Sequence, residues 1–173
     1  MADEALSPEE SDLVCRPPKE GDLVALCRRL NELEARYLVC GGFAIIQAGY
    51  PRFTGDIDLL VEASSANEAK VFTALEILHD KAVKELEPGD LRKFGVCRVA
   101  DEILVDLMAT ASGIEYGEVS DQVVVRTIQN VPIPFASPSL LWRMKSRTHR
   151  EKDQLDLLFL RQLFDAEGTI PPA

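Results

Sequence analysis

YLVCGGFAIIQAGYPRFTGDIDLLVE, residues 37–62, is the stretch whose reading decides the fold. Its first four residues have the length and apolarity of a short buried strand. They run directly into Gly41-Gly42, and GGFAIIQAG then reads as a turn leading into a short helix that Gly49 and Pro51 stop. DIDLLVE reads as a second strand. It opens on two like charges, Asp56 and Asp58. On a strand, residues i and i+2 share a face, so the two carboxylates project together while Ile57 points into a core. Two neighbouring carboxylates resist joint ionisation unless a cation sits between them. Hard oxygen ligands of this kind suit Mg²⁺ or Mn²⁺. A pair spaced this way is a weak signal alone: it is also what two solvated aspartates at a strand start look like, and sugar-nucleotide glycosyltransferases use one too.

Three other features sit around the pair. A glycine pair at a strand-to-helix turn lets the backbone approach a ligand closely and presents free N–H groups to an anion, or it is simply a tight turn. EILVDLMA (102–109) places Asp106 between apolar Val105 and Leu107, where a carboxylate is costly unless paired or metal-bound. The alternative there is a strand-end or edge aspartate. RMKSRTHREK (143–152) gathers Arg143, Lys145, Arg147, Arg150 and Lys152, a phosphate-binding patch or a solvated helix face. Thr54 is placed to bind a phosphate or cap the start of the strand. Arg52 is placed to reach phosphates or to pair with a core carboxylate. Together these parts suit metal-assisted phosphoryl chemistry: glycine N–H groups for phosphates, three carboxylates for two cations, and basic side chains for a polyphosphate leaving group.

The chain has 173 residues and a formal net charge of −10, with a pI near 4.7. An acidic surface repels nucleic acid and anionic membranes, so any polyanionic partner must be met at a concentrated basic site. The four cysteines form no metal-ligand spacing and read as reduced thiols, which fits a cytoplasmic protein. The acidic start, MADEALSPEESD, has neither the basic stretch nor the apolar run of a secretory leader. Residues 1–19 read as a flexible arm, 20–136 as a catalytic core, and 137–173 as a C-terminal helical portion of the same domain. GDLVALCRRLNELEA (21–35) has the spacing of an amphipathic helix. SANEAKVFTALEILHDKA (65–82) is expected to be one helix with Ala66, Ala69, Phe72, Leu75 and Leu78 inward. Two hairpins come next, one around Ala100-Asp101-Glu102 and one turning at Gln129-Asn130, and they predict a mixed rather than all-parallel sheet. The last segment is helical from Pro138, with a break near Thr148.

VCGGFAIIQAGYPRFTGDIDLLVE (39–62), with VDLM (105–108) and KSRTHREKDQLDL (145–157), resembles the signature of the nucleotidyltransferase superfamily with the DNA polymerase β-like fold. It is especially similar to the minimal bacterial nucleotidyltransferases that include AbiEii-type toxins. The resemblance implies an α+β fold: a small mixed β-sheet flanked by helices, the active site at its edge, and a C-terminal helical portion. It implies transfer of an NMP from an NTP such as ATP to an acceptor hydroxyl with release of pyrophosphate. Asp56, Asp58 and Asp106 correspond to the carboxylates that hold two Mg²⁺ (or Mn²⁺) ions, Asp106 also helping to activate the acceptor. Gly41, Gly42 and Lys145 correspond to groups on the triphosphate, with Arg52 and Thr54 placed on the nucleotide side. The acceptors used by such relatives include the 3′ end of tRNA, a partner protein and an antibiotic hydroxyl, and an antitoxin partner is implied by the toxin type. The alternative of another class is a non-catalytic nucleotide-binding or partner-binding module.

Overall fold

The structure is a computed structural model that describes residues 15–173. Most of the expected arm, residues 1–14, lies outside the described residues. Of residues 15–19, Arg16 donates its backbone N–H to the Glu102 carbonyl at 3.0 Å, and its guanidinium pairs with Asp22 at 2.7 Å.

Six strands form one mixed sheet: β1 (Tyr37–Cys40), β2 (Asp56–Val61), β3 (Val96–Ala100), β4 (Leu104–Met108), β7 (Val123–Ile128) and β8 (Val131–Ala136), in the order β3-β4-β2-β1-β8-β7. The β1/β2, β3/β4 and β7/β8 pairs are antiparallel, while β2/β4 and β1/β8 are parallel. Both expected hairpins are present. The second turns through Gln129 and Asn130, both left-handed, as a two-residue hairpin requires. A small antiparallel pair, β5 (Thr110–Ala111) and β6 (Ile114–Glu115), was not anticipated; it turns at Ser112-Gly113 with both residues at positive φ.

Helices α1 (Glu20–Glu32), α2 (Gly41–Ala48), α3 (Ser65–Leu75), α4 (Asp90–Phe94), α5 (Tyr116–Val119), α6 (Pro138–Lys145) and α7 (Glu151–Glu167) flank the sheet. In α1, Leu23, Leu26, Cys27 and Leu30 are buried, as their spacing demands. The break between α6 and α7 spans Thr148. Ser137 caps α6, its hydroxyl accepting from the Leu140 N–H, with Pro138 in the first turn.

The two faces of the sheet differ. Ile57, Leu59, Val61, Cys97, Val99, Val105, Leu107, Ile133 and Phe135 alternate onto one face and are all buried. The opposite face carries Asp56 and Asp58 on β2 and, by register, Asp106 on β4 and Arg98 on β3. At its outer strands that face is open, with Val96 and Arg98 of β3 and Val125 of β7 exposed. The site was expected at the sheet's edge. Its carboxylates instead rise from β2 and β4, both interior strands.

The expected long helix ends at Leu75. Two carboxylates shape the chain beyond that point. Asp101 accepts hydrogen bonds from the Asp80 and Ala82 N–H groups at 3.0 and 2.8 Å, drawing the chain into an irregular turn. Glu68 accepts from Gly89 and Leu91, fixing the next loop. The buried face of α3 is also rotated: Asn67, Glu68, Val71, Ala74 and Leu75 are inside, whereas Ala66 and Ala69 are exposed.

Asn67 explains that rotation. Its carbonyl accepts from the Arg36 N–H at 2.7 Å, and its amide donates to the Arg36 and Glu62 carbonyls at 2.9 and 2.8 Å. The side chain thus joins the start of β1 to the end of β2. Asn67→Ala removes all three of these part-buried hydrogen bonds and should lower stability by about 1–3 kcal/mol in urea melts. Asn67→Ser is expected to recover only part of that loss, because one hydroxyl cannot serve three partners.

Candidate functional site

The chain turns from β1 into α2 without a connecting loop. Cys40 is extended, Gly41 takes φ +63°, and the helix begins there. A Cβ on Gly41 would lie 2.7 Å from the Asp58 carboxyl carbon, and one on Gly42 would lie 2.7 Å from the Thr54 Cβ. Both positions therefore require glycine, because β2 passes directly under the helix start. Thr54 donates its hydroxyl to the Asp56 carbonyl at 3.1 Å. Of the two roles open to Thr54, this is the capping of the strand entry.

Asp58 on β2 lies beside Asp106 on the parallel strand β4. With Asp56 they form a cluster in which one carboxylate oxygen from each lies within 4.8 Å of the others. Burial, and then the charges of Asp56 and Asp106, push the Asp58 carboxyl up to about 7. A divalent cation relieves that excess of like charge, and all three donors are hard carboxylate oxygens, so the residues present fit one.

Arg98 was not singled out in the sequence. Its guanidinium forks onto Asp106, Nε to Oδ1 and Nη2 to Oδ2, both at 2.9 Å, and reaches Asp56 at 3.5 Å. The signal that could have found it is the first hairpin: around that turn, antiparallel register sets Arg98 opposite Asp106.

Lys145 and Arg52 sit together, tied by carboxylates from α7. Lys145 is 6% exposed, and its ammonium lies 3.0 Å from Asp153 and 2.9 Å from Asp156, both fully buried. Arg52 donates Nη2 to Asp156 at 2.9 Å, and its Nε faces the other oxygen at 2.8 Å in ionic contact. Arg52 thus has the core-carboxylate partner that its sequence reading allowed. Burial alone would raise the Asp153 carboxyl, but hydrogen bonds from Thr148 and Lys145, with Arg150, outweigh it and hold the group at about 2. Arg150 and Lys152 remain exposed.

These groups surround one cleft of about 690 Å³. Every site residue predicted from the sequence lines it: Gly41, Gly42, Arg52, Thr54, Asp56, Asp58, Asp106 and Lys145. Arg150, Lys152 and Ser112 complete one wall, and the Ser112 hydroxyl latches the β5/β6 turn to the Met144 carbonyl at 2.8 Å. A cleft with cations on one side and three carboxylates on the other is suited to holding a polyphosphate and a dication together.

In chelator, Asp58 should make stability depend on pH. Folded, it keeps its proton to about pH 7; unfolded, it loses it near the ordinary value of about 4. The folded state then binds more protons between these values, so stability falls as pH rises through them. Asp58→Asn should flatten that fall. At about pH 8 the variant is expected to be the more stable by a few kcal/mol, and the gap should close near pH 4.5, read from urea melts in EDTA.

No protein-family model and no curated protein matches the sequence. Among solved structures, the chain is similar to the lincosamide antibiotic adenylyltransferase LnuA with lincomycin bound. The match has 14% identity, covers 86% of this chain and 99% of that one, and has a TM-score of 0.54. It also aligns with an antigenic nucleotidyltransferase-like protein from Paracoccidioides brasiliensis at 20% identity over 82% of this chain and 74% of that one, with a TM-score of 0.47. With its mixed sheet, its glycine turn above β2 and its similarity to LnuA over nearly its whole length, the chain has the nucleotidyltransferase fold.

Proposed function

We propose that the protein is a metal-dependent nucleotidyltransferase that moves an NMP from an NTP to an acceptor hydroxyl and releases pyrophosphate. The observation that carries this reading is the placement of Asp56, Asp58 and Asp106 with one oxygen of each within 4.8 Å of the others, and with Asp58 directly beneath Gly41. Asp56, Asp58 and Asp106 would hold Mg²⁺ or Mn²⁺, two ions by analogy with the family, which supply Lewis-acid stabilisation of charge at the α-phosphate. The helix start at Gly41-Gly42 offers N–H groups to the phosphates without a side chain in the way. Asp106 accepts the proton of the attacking hydroxyl as the new O–P bond forms and the bond to pyrophosphate breaks.

The cations divide into two groups. Lys145 and Arg52 are largely neutralised by Asp153 and Asp156, so in this reading they shape the wall facing the triphosphate. Arg150, which pairs with Asp153 from a side chain 61% exposed, and Lys152 are exposed at the cleft and take the charge of the leaving pyrophosphate.

For the acceptor, an exposed basic loop in a chain of net charge −10 favours a focused contact with a polyanion. The 3′ end of tRNA is therefore the first acceptor to test, as in the toxin type with its antitoxin, and a cytoplasmic setting with ATP among the donors goes with it. A protein hydroxyl and a small-molecule hydroxyl come next. LnuA, with its bound lincomycin, keeps the small-molecule acceptor in the test set. No helix among the described residues is long and apolar enough to cross a membrane.

Transfer of α-labelled nucleotide tests the reading. Each of the four NTPs is incubated with Mg²⁺ and total tRNA, lysate protein or candidate antibiotics. Label should move to one acceptor class, and Asp56→Ala should lower the rate by at least about 10³-fold with the circular dichroism spectrum unchanged. Nucleotide binding with no transfer to any acceptor would favour the non-catalytic module instead.

A further inference from the structure

Among the described residues, Arg98 alone donates hydrogen bonds to the three-carboxylate cluster. Both oxygens of Asp106 accept from it at 2.9 Å, and Asp56 lies 3.5 Å away. A dication on an oxygen of Asp106 would bring two positive charges up against this guanidinium, whose fork already holds one lone pair of each oxygen. We propose that Arg98 is an exchangeable counter-cation of the cluster: it holds Asp106 beside Asp56 while no dication is bound, and it yields Asp106 when one binds. The proposal rests on the carboxylates being dication ligands, and not on nucleotidyl transfer.

Its position makes the exchange feasible. β3 is an edge strand, and on its carboxylate face Val96, Arg98 and Ala100 are all exposed. The Arg98 side chain is itself 58% exposed. A long side chain there can swing into solvent without opening a cavity. Lys145 is the contrast: its ammonium lies between two fully buried carboxylates and its side chain is 8% exposed, so it has no comparable path into solvent. A guanidinium is also suited to the task. Its planar fork matches a carboxylate in the geometry seen here, and its weak hydration makes the pairing easy to form and release. It remains charged at every pH at which the protein folds.

The experiment is Mn²⁺ titration without nucleotide, following the free-ion signal by electron paramagnetic resonance in the wild type, Arg98→Gln and Arg98→Lys. Removing the competing charge should tighten Mn²⁺ binding by at least about tenfold in Arg98→Gln. Arg98→Lys, which keeps the charge without the fork, should fall between. Urea melts should show Arg98→Gln less stable than wild type in EDTA, with the deficit closed by saturating Mn²⁺. Equal or weaker Mn²⁺ affinity in folded Arg98→Gln overturns the proposal. In the wild type, the Arg98 Nε–H resonance should shift on Mg²⁺ addition, and a fixed resonance with Mg²⁺ bound overturns it even if the variants fail to fold. Failure of every form to bind Mn²⁺ removes the dication reading and this inference with it. Bound metal without nucleotide transfer would count against the proposed activity alone.

Discussion

Three like charges on one sheet face are the constraint around which this molecule is arranged. The parallel pairing of β2 with β4 sets Asp58 beside Asp106, and the two-residue spacing on β2 adds Asp56. Like charges this close cannot all ionise cheaply without a counter-ion. The surroundings answer in several ways. Asp58 tends to keep its proton. Arg98 forks onto Asp106 from the edge strand. The backbone at Gly41 runs where any side chain would strike the Asp58 carboxylate. Each feature would be a fault in an ordinary apolar sheet, and each makes sense only beside the other two.

The C-terminal portion repeats the problem with the signs balanced. Asp153 and Asp156 of α7 are fully buried and neutralise Lys145, Arg52 and Arg150 at close range. Removing one partner from such a group is costly, because the charge left behind stays out of water. The network joins the loop before β2, the end of α6 and the start of α7. It therefore fixes the wall of the cleft opposite the carboxylates, with Lys145 and Arg52 tied down on the inside and Arg150 at the exposed rim.

Much of this was legible in the sequence, and the limits have a common physical origin. The strand-turn-helix-strand order from 37 to 62 could be read because apolar runs, a glycine pair and Pro51 punctuate it. Asp56 and Asp58 could be placed on one face because strand periodicity is strict. Asp106 was marked by its apolar neighbours. What escaped were partners chosen by tertiary register. Arg98 meets Asp106 only once β3 and β4 pair, and Asp156 meets Arg52 across 104 positions. The inward face of α3 was misjudged because Asn67 and Glu68 are polar, and hydropathy patterns assign such residues to solvent. Both are buried as hydrogen-bonding hubs for backbone at the ends of strands and helices. The site's charged residues were easier to find than the fold's buried polar ones.

The sheet order also has a consequence for how the chain is made. β1, β2, β3 and β4 come from residues 37–108 and can pair with one another as soon as that length has emerged. The other side of β1 is closed only by β8, through the pairing of Val39 with Phe135. Until residue 136 leaves the ribosome, a four-strand unit already carrying all three carboxylates presents the bare edge of its most apolar strand. Bare edges of this kind recruit other strands, and pairing distant segments is slow. The β7/β8 hairpin, with its tight left-handed turn, is a local structure that can form first and then dock as a unit onto the waiting edge. The final closing of the sheet is thus a late event, set by the last third of the chain.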